Sequence, residues 1–302
     1  MGKRKDSKRK PAKAAVKVKA PSNPRRRSGP VRAVAVTVGA VILLAGAVYV
    51  LRGNLLSSPP YSKVLARVQL TGPPKWMPPD IAHGVLADVQ SAAAGRAVFD
   101  EDLARDVYLQ AAANPWIARV GLVRKHGDGT VLVEADYRRP LALVRAPQTV
   151  GDRPVVVSAD AVVLPLPDHR IKPNSLVTIG DVQSPPPPPG RKWEAPDLAD
   201  GLRLLKLIQP MPFAAEITVI DVRNHRGRIS PAEPHLRMYA QVGRGRRTDI
   251  RFGRFPAGDD YCVSPDRKLA YLSKYYKDNG GRLAGVNSYL DLRYDQLHVS
   301  HN

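Results

Sequence analysis

The chain has 302 residues, 43% of them hydrophobic, enough to bury real cores and to exclude wholesale disorder. Its net charge of +20 is uneven: residues 1–32 carry 13 Lys/Arg against one acid, Asp6, while the remaining residues are only mildly basic. The single cysteine, Cys262, excludes an intrachain disulfide and leaves a bacterial envelope protein or a cytosolic one.

Residues 1–32 are Lys/Ala/Pro-rich without hydrophobic period, which predicts a disordered basic tail. From Ala33 to Leu51 no side chain is charged, and as a helix this stretch reaches about 28 Å, close to the hydrocarbon thickness of a bilayer. Arg32 and Arg52 bracket it, and Tyr49 sits where an interfacial anchor would. A cleaved signal peptide has a shorter apolar region and a small-residue cleavage site, and Leu51-Arg52-Gly53-Asn54-Leu55 offers none. The reading is therefore an uncleaved single-pass anchor in the cytoplasmic membrane. Arg25, Arg26, Arg27 and Arg32 on the N-terminal side predict a cytoplasmic N terminus and exported C-terminal domains. A tail tethered beside an anionic leaflet has lipid as its nearest partner, at about 1 kcal/mol per basic residue. Nucleic acid is the alternative partner for such a run.

Residues 52–60 read as a stalk. Residues 61–140 then carry a strand, two helices and two strands, a compact α+β arrangement. Tyr61–Leu70 alternates, with Val64, Ala66, Val68 and Leu70 on one face. Asp80–Ala93 places Ile81, Val85, Leu86 and Val89 at helical spacing. A second helix is expected to start at Asp100 as N-cap, to line one face with Leu103, Val107, Tyr108 and Ala111, and to stop at Asn114-Pro115. Trp116–Lys125 and Thr130–Asp136 read as strands around the turn His126-Gly127-Asp128-Gly129. On the first of these, Trp116, Ala118 and Val120 are expected opposite Ile117, Arg119 and Gly121.

Residues 141–302 form a second, mainly antiparallel unit. Strand-like runs are Ala142–Val144, Val155–Ser158, Ala161–Leu164, Leu176–Ile179 and Ile217–Val222, with Leu236–Val242 and Thr248–Phe252 as a hairpin. Residues 185–190, five prolines and Gly190, can form only an extended loop. Helices are expected over Asp197–Ile208 and from Ser264, a cap followed by Pro265, to Asn279. A last strand is expected over Tyr289–Val299.

No catalytic set emerges. Gly243-Arg244-Gly245 lacks a third glycine and lies between strands, so it reads as a hairpin turn. Cys262 lies just before a helix cap and reads as packing. The seven histidines form no i, i+4 pair that would suit a metal. The expectation is a binding or scaffolding protein, not an enzyme, with no cofactor and no small-molecule substrate.

The order of parts resembles the FtsQ/DivIB family of bacterial cell-division proteins. The similar passages are Asn114-Pro115-Trp116-Ile117 through Val131-Leu132-Val133 to Arg139-Pro140-Leu141-Ala142, and Tyr289-Leu290-Asp291-Leu292-Arg293-Tyr294. The second matches the family's final-strand motif Asp-Leu-Arg-Tyr, although Tyr137 stands where the family often has Glu. The resemblance implies a POTRA domain over 61–140, a β domain over 141–302, and a divisome scaffold at the septum that binds the FtsB/FtsL pair. A last strand at a sheet edge is suited to β-strand addition. The candidate partner-binding residues are Asp291, Arg293, Tyr294 and Asp295. Asp291 and Arg293 lie two apart on one face, so an ion pair within the sheet is the structural alternative. A POTRA-bearing export or assembly factor and a membrane-anchored envelope enzyme are the competing readings.

Overall fold

The computed structural model describes residues 30–56, 64–147, 154–166, 176–257 and 261–300. The expected tail therefore lies almost wholly outside the described residues, as do 57–60 of the expected stalk. The chain divides into two units, Met1–Ser58 and Pro59–Asn302.

In the first unit, helix α1 spans Pro30–Leu56, beyond both ends of the expected span, so Arg52–Leu56 are helical and not stalk. Within it, Val34–Asn54 is long and apolar enough to cross a membrane, and none of that stretch is buried. At 1.5 Å per residue it reaches about 32 Å, a match to hydrocarbon thickness that is compatible with single-pass anchoring.

The second unit is mixed α+β, built around two sheets and two hydrophobic cores. Strand β1 (Arg67–Leu70) is followed by α2 (Pro79–Ser91), α3 (Leu103–Ala113), β2 (Ile117–Lys125) and β3 (Thr130–Tyr137). The sheet order is β1-β3-β2, with β1 parallel and β2 antiparallel to β3. The apolar periods do what they predict: Ala66 and Val68, Ile81, Val85 and Val89, Leu103, Val107 and Ala111, and Val131 and Val133 all bury into one core.

Three local expectations need correction. Asp102, not Asp100, precedes the first turn of α3; the Asp100 carboxylate accepts the Asp102 N–H at 3.1 Å and also holds Arg96 at 3.0 Å. Tyr108 is exposed, because the face completed by Ala111 is already filled by Leu103 and Val107. Strict alternation fails on β2, where register shifts at Ile117/Arg119 and Val120/Val123 leave Ile117, Val120 and Val123 facing inward. A bulge adds a residue to one strand and reverses the side-chain phase beyond it. The turn at 126–129 forms as expected, with Gly129 at φ +97° and a Cβ there lying 2.8 Å from the Leu65 carbonyl oxygen.

The large sheet comprises β4 (Pro140–Val144), β5 (Val155–Ser158), β6 (Val163–Leu164), β7 (Val177–Gly180), β8 (Ile217–Asp221), β9 (Leu236–Ala240), β10 (Thr248–Gly253), β11 (Tyr289–Asp291) and β12 (His298–Val299). Helix α4 spans Pro196–Ile208 and α5 spans Pro265–Asp278. The order is β12-β11-β10-β9-β8-β7-β4-β5-β6. Antiparallel pairs predominate, but β4-β7-β8 and β10-β11 are parallel. Parallel neighbours need a crossover, which α4 supplies before β8 and α5 before β11.

One cross-strand row, Val144, Ile179, Ile220, Met238, Ile250 and Leu290, is fully buried under the helices. On the opposite face the core of the smaller sheet takes in Leu143, Val156 and Leu164, so the two expected domains keep separate cores but share one compact unit. Ser264 caps α5, its hydroxyl accepting the Arg267 N–H, and Gly280 and Gly281 end it at positive φ.

Candidate functional site at the edge of the large sheet

The expected final strand is two strands. After β11 the chain turns through Leu292–Leu297 and returns as β12, pairing Leu290 with Val299 and Asp291 with His298. The cause is local. Asp291 Oδ1 accepts both the backbone N–H of Arg293 at 3.2 Å and its Nε–H at 3.0 Å, and the bond to the backbone N–H closes a local bend just after β11. Arg293 Nη2 completes a fork to Asp291 Oδ2 at 2.8 Å, and Nη1 donates to the Ala232 carbonyl at 2.7 Å. Gly253, at φ +83°, makes room: a Cβ there would lie 2.8 Å from Arg293 Cγ.

Asp291 is 3% exposed. Burial alone would raise its pKa, but the hydrogen bonds from Arg293, together with the charges of Arg293 and Arg251, outweigh burial and hold it below the usual carboxylate range. The same hydrogen bond to Asp291 raises Arg293 further. Asp291, on β11, and Arg293, in the bend after it, are thus ion-paired within the chain. Tyr294 differs: it is half exposed, and its ring lies 4.8 Å from that of His298 on β12. Asp295 points to solvent, 3.5 Å from Arg267 of α5, while its carbonyl accepts hydrogen bonds from Arg267 and the Tyr271 hydroxyl. Of the four predicted residues, Tyr294 and Asp295 form a presented surface, and Asp291 and Arg293 shape it.

The sequence reading missed what supports that surface. Glu233, Arg237, Asp249, Arg251 and Asp291 form a charge ladder across β9, β10 and β11: Arg237 pairs with Glu233 and, at 2.9 Å, with Asp249; Arg251 lies 3.4 Å from Asp249 and 3.8 Å from Asp291. Asp249 Oδ1 is buried without a hydrogen-bond partner among the described residues. Arg251 also covers the Tyr289 ring at 4.1 Å, a cation–π contact. The signal was present in Leu236-Arg237-Met238-Tyr239-Ala240 and Thr248-Asp249-Ile250-Arg251-Phe252, whose alternation puts Arg237, Asp249 and Arg251 on the face opposite the buried row.

The two ends of the sheet are treated differently. Beside β6, Val163 N donates to the Arg191 carbonyl at 3.1 Å, Trp193 N donates to the Ala161 carbonyl at 2.8 Å, and Lys192 bridges Val162. The segment after the proline run therefore covers that edge. At the other end β12 closes the strand order among the described residues, with His298 exposed and Val299 half-buried.

Elsewhere, Cys262 is half-buried, 3.7 Å from the amine of Lys268, a fully buried lysine that burial shifts toward the neutral form. Among the described residues no group of three or more His, Cys, Asp or Glu side chains is placed to hold a metal ion. No protein-family model matches the chain, and no curated protein matches it.

Proposed function

We propose that this protein is a non-enzymatic scaffold of bacterial cell division, anchored in the cytoplasmic membrane by α1 with its N terminus inside and its folded unit outside. In this reading β1–β3 with α2 and α3 form a POTRA domain, β4–β12 form the β domain, and an FtsB/FtsL-like pair docks by strand addition at β12. The basic tail contacts anionic lipids. The observation that carries the reading is the inequality of the two sheet edges: one is covered, and the other presents β12 beside Tyr294 and Asp295. An edge strand offers unpaired N–H and C=O groups to an extended segment, and a half-exposed tyrosine beside it is a typical hot-spot side chain. The charged side chains behind the edge are ion-paired with one another, which supports a shaped docking surface.

The test is a fusion to a fluorophore that matures outside the cytoplasm, imaged in dividing cells, with capture of the FtsB/FtsL pair by the full-length protein. Septal fluorescence and capture are the expected results. Uniform membrane fluorescence without capture overturns the division reading. A cysteine placed in residues 53–60 of a Cys262-free chain is expected to label from outside intact cells. Labelling only after permeabilisation overturns the orientation.

A further inference from the structure

We propose that a second docking surface, separate from β12, lies on the side of the sheet away from α4, over β7, β8 and β9, and that it takes an acidic amphipathic segment of a partner protein. Here lies a concavity of about 1270 Å³ whose lining includes Thr178, Val219, Tyr239, Arg145 and Arg247 on this side and reaches Leu205 and Ile208 at the end of α4. Helix α4 packs on the other face of the same strands, where Ile179 and Ile220 are fully buried; here the cross-strand neighbours Thr178, Val219 and Tyr239 stay only half covered.

Charge selects the occupant. The concavity has two carboxylates, Asp181 and Asp221, and both belong to Arg223, at 2.8 and 4.0 Å. Arg145, just beyond β4, and Arg247, just before β10, carry no ion pair among the described residues, and Arg247 lies over the Tyr239 ring at 4.0 Å. Arg244 and Arg246, both exposed in the adjoining turn, extend the positive rim. Four strand spacings separate β4 from β10, so Arg145 and Arg247 stand roughly 20 Å apart with half-buried Thr178, Val219 and Tyr239 between them. A ligand that satisfies this needs carboxylates at both ends and apolar groups in the middle. A helix of about 13 residues spans the gap. A lipid has one charged end, and an anionic polysaccharide has no side chains for the apolar floor, so the arrangement favours protein.

The probe is a synthetic helical peptide of about 16 residues, with Leu along one stripe and Glu near both ends, titrated against the full-length protein in nanodiscs of neutral lipid. Its Lys-for-Glu analogue is the control. The acidic peptide is expected to bind and the analogue not to. Arg145→Glu and Arg247→Glu are each expected to weaken binding about tenfold, whereas Arg105→Glu, exposed on α3, leaves it unchanged. Val219→Thr, nearly isosteric, is expected to weaken it several-fold through the floor alone, and none of these variants is expected to alter capture of the FtsB/FtsL pair. Equal binding of both peptides, or undiminished binding by a folded Arg145→Glu/Arg247→Glu protein, overturns the proposal. Displacement by anionic vesicles or an anionic polysaccharide as effective as by unlabelled peptide assigns the surface to a polyanion instead and overturns it equally.

Discussion

The β6 and β12 ends of the sheet face the same physical problem and meet it in opposite ways. An edge strand carries unsatisfied backbone groups that invite pairing. At β6 the invitation is withdrawn: residues 191–193 take up the backbone of Ala161 and Val163, and Trp193 is buried with its Nε1–H on Ser184 Oγ at 2.9 Å. At β12 the effort goes instead into holding the edge in shape, through the Asp291–Arg293 fork and the anchoring of the Asp295 carbonyl to α5. The difference teaches that one sheet can close one edge with its own chain and, among the described residues, leave the other edge backed by a charge network.

The largest effect is expected from removing the cover. Trp193→Ala leaves a cavity and frees the β6 edge, costing about 3–5 kcal/mol. Thermal melts with light scattering check it: a lower midpoint and concentration-dependent aggregation are expected. An unchanged melt would mean that the cover is ornamental. Next comes Arg293→Ala, which leaves the Asp291 carboxylate buried without its fork. Breaking a buried pair costs about 3–5 kcal/mol, and since Arg293 keeps a quarter of its side chain exposed, about 2–3 kcal/mol is expected here. Chemical denaturation measures it, and Arg293→Lys, which restores charge without the fork, is expected to recover less than half.

Tyr294→Ala sharpens the comparison from the other side. Its ring is half exposed, so the melt is expected to move little, while affinity for the proposed FtsB/FtsL-like partner is expected to weaken by about 2 kcal/mol. Calorimetric titration separates the two. The smallest effect is in pH. His235 is held below the ordinary histidine pKa, first by burial and then by the charges of Arg254 and His225. The unfolded chain then binds the proton more readily, so stability is full above about 6.5 and declines as pH falls toward the folded value. His235→Asn is expected to flatten the melting midpoint between pH 7 and 5.5. Asp291, also depressed, adds its loss only below about 4, the unfolded carboxylate value.

Much of this architecture is legible in the chain because short-range patterns carry it. Leu198, Leu202, Leu205 and Ile208 announce α4 and its buried face together, and Ser264-Pro265 to Gly280-Gly281 marks both ends of α5. What could not be read depends on partners distant in sequence. The two register shifts in β2 are set by its pairing with β3, and nothing within Ile117–Lys125 marks them. The parallel adjacency of β4, β7 and β8 joins segments separated by loops and a helix, and periodicity has no signature for that. The candidate site fell between these cases. Spacing placed Asp291 and Arg293 together, yet the alternation Tyr289–Tyr294 reads smoothly as strand, and only the two bonds from Arg293 to one carboxylate oxygen show where the chain turns.

Gly253 has a consequence for genetics. It lies forty residues before Arg293, on a neighbouring strand, and its missing side chain is the space that the arginine's stem occupies. A Gly253→Ala allele would keep every residue of the β12 edge and still misplace the fork, because its Cβ would intrude on Arg293 and its backbone would be strained at positive φ. Such an allele should share the phenotype of an Arg293 substitution. Suppressors of either are then expected in the same small neighbourhood, among Ala232, Arg251 and Asp291, although a linear map scatters these positions across sixty residues.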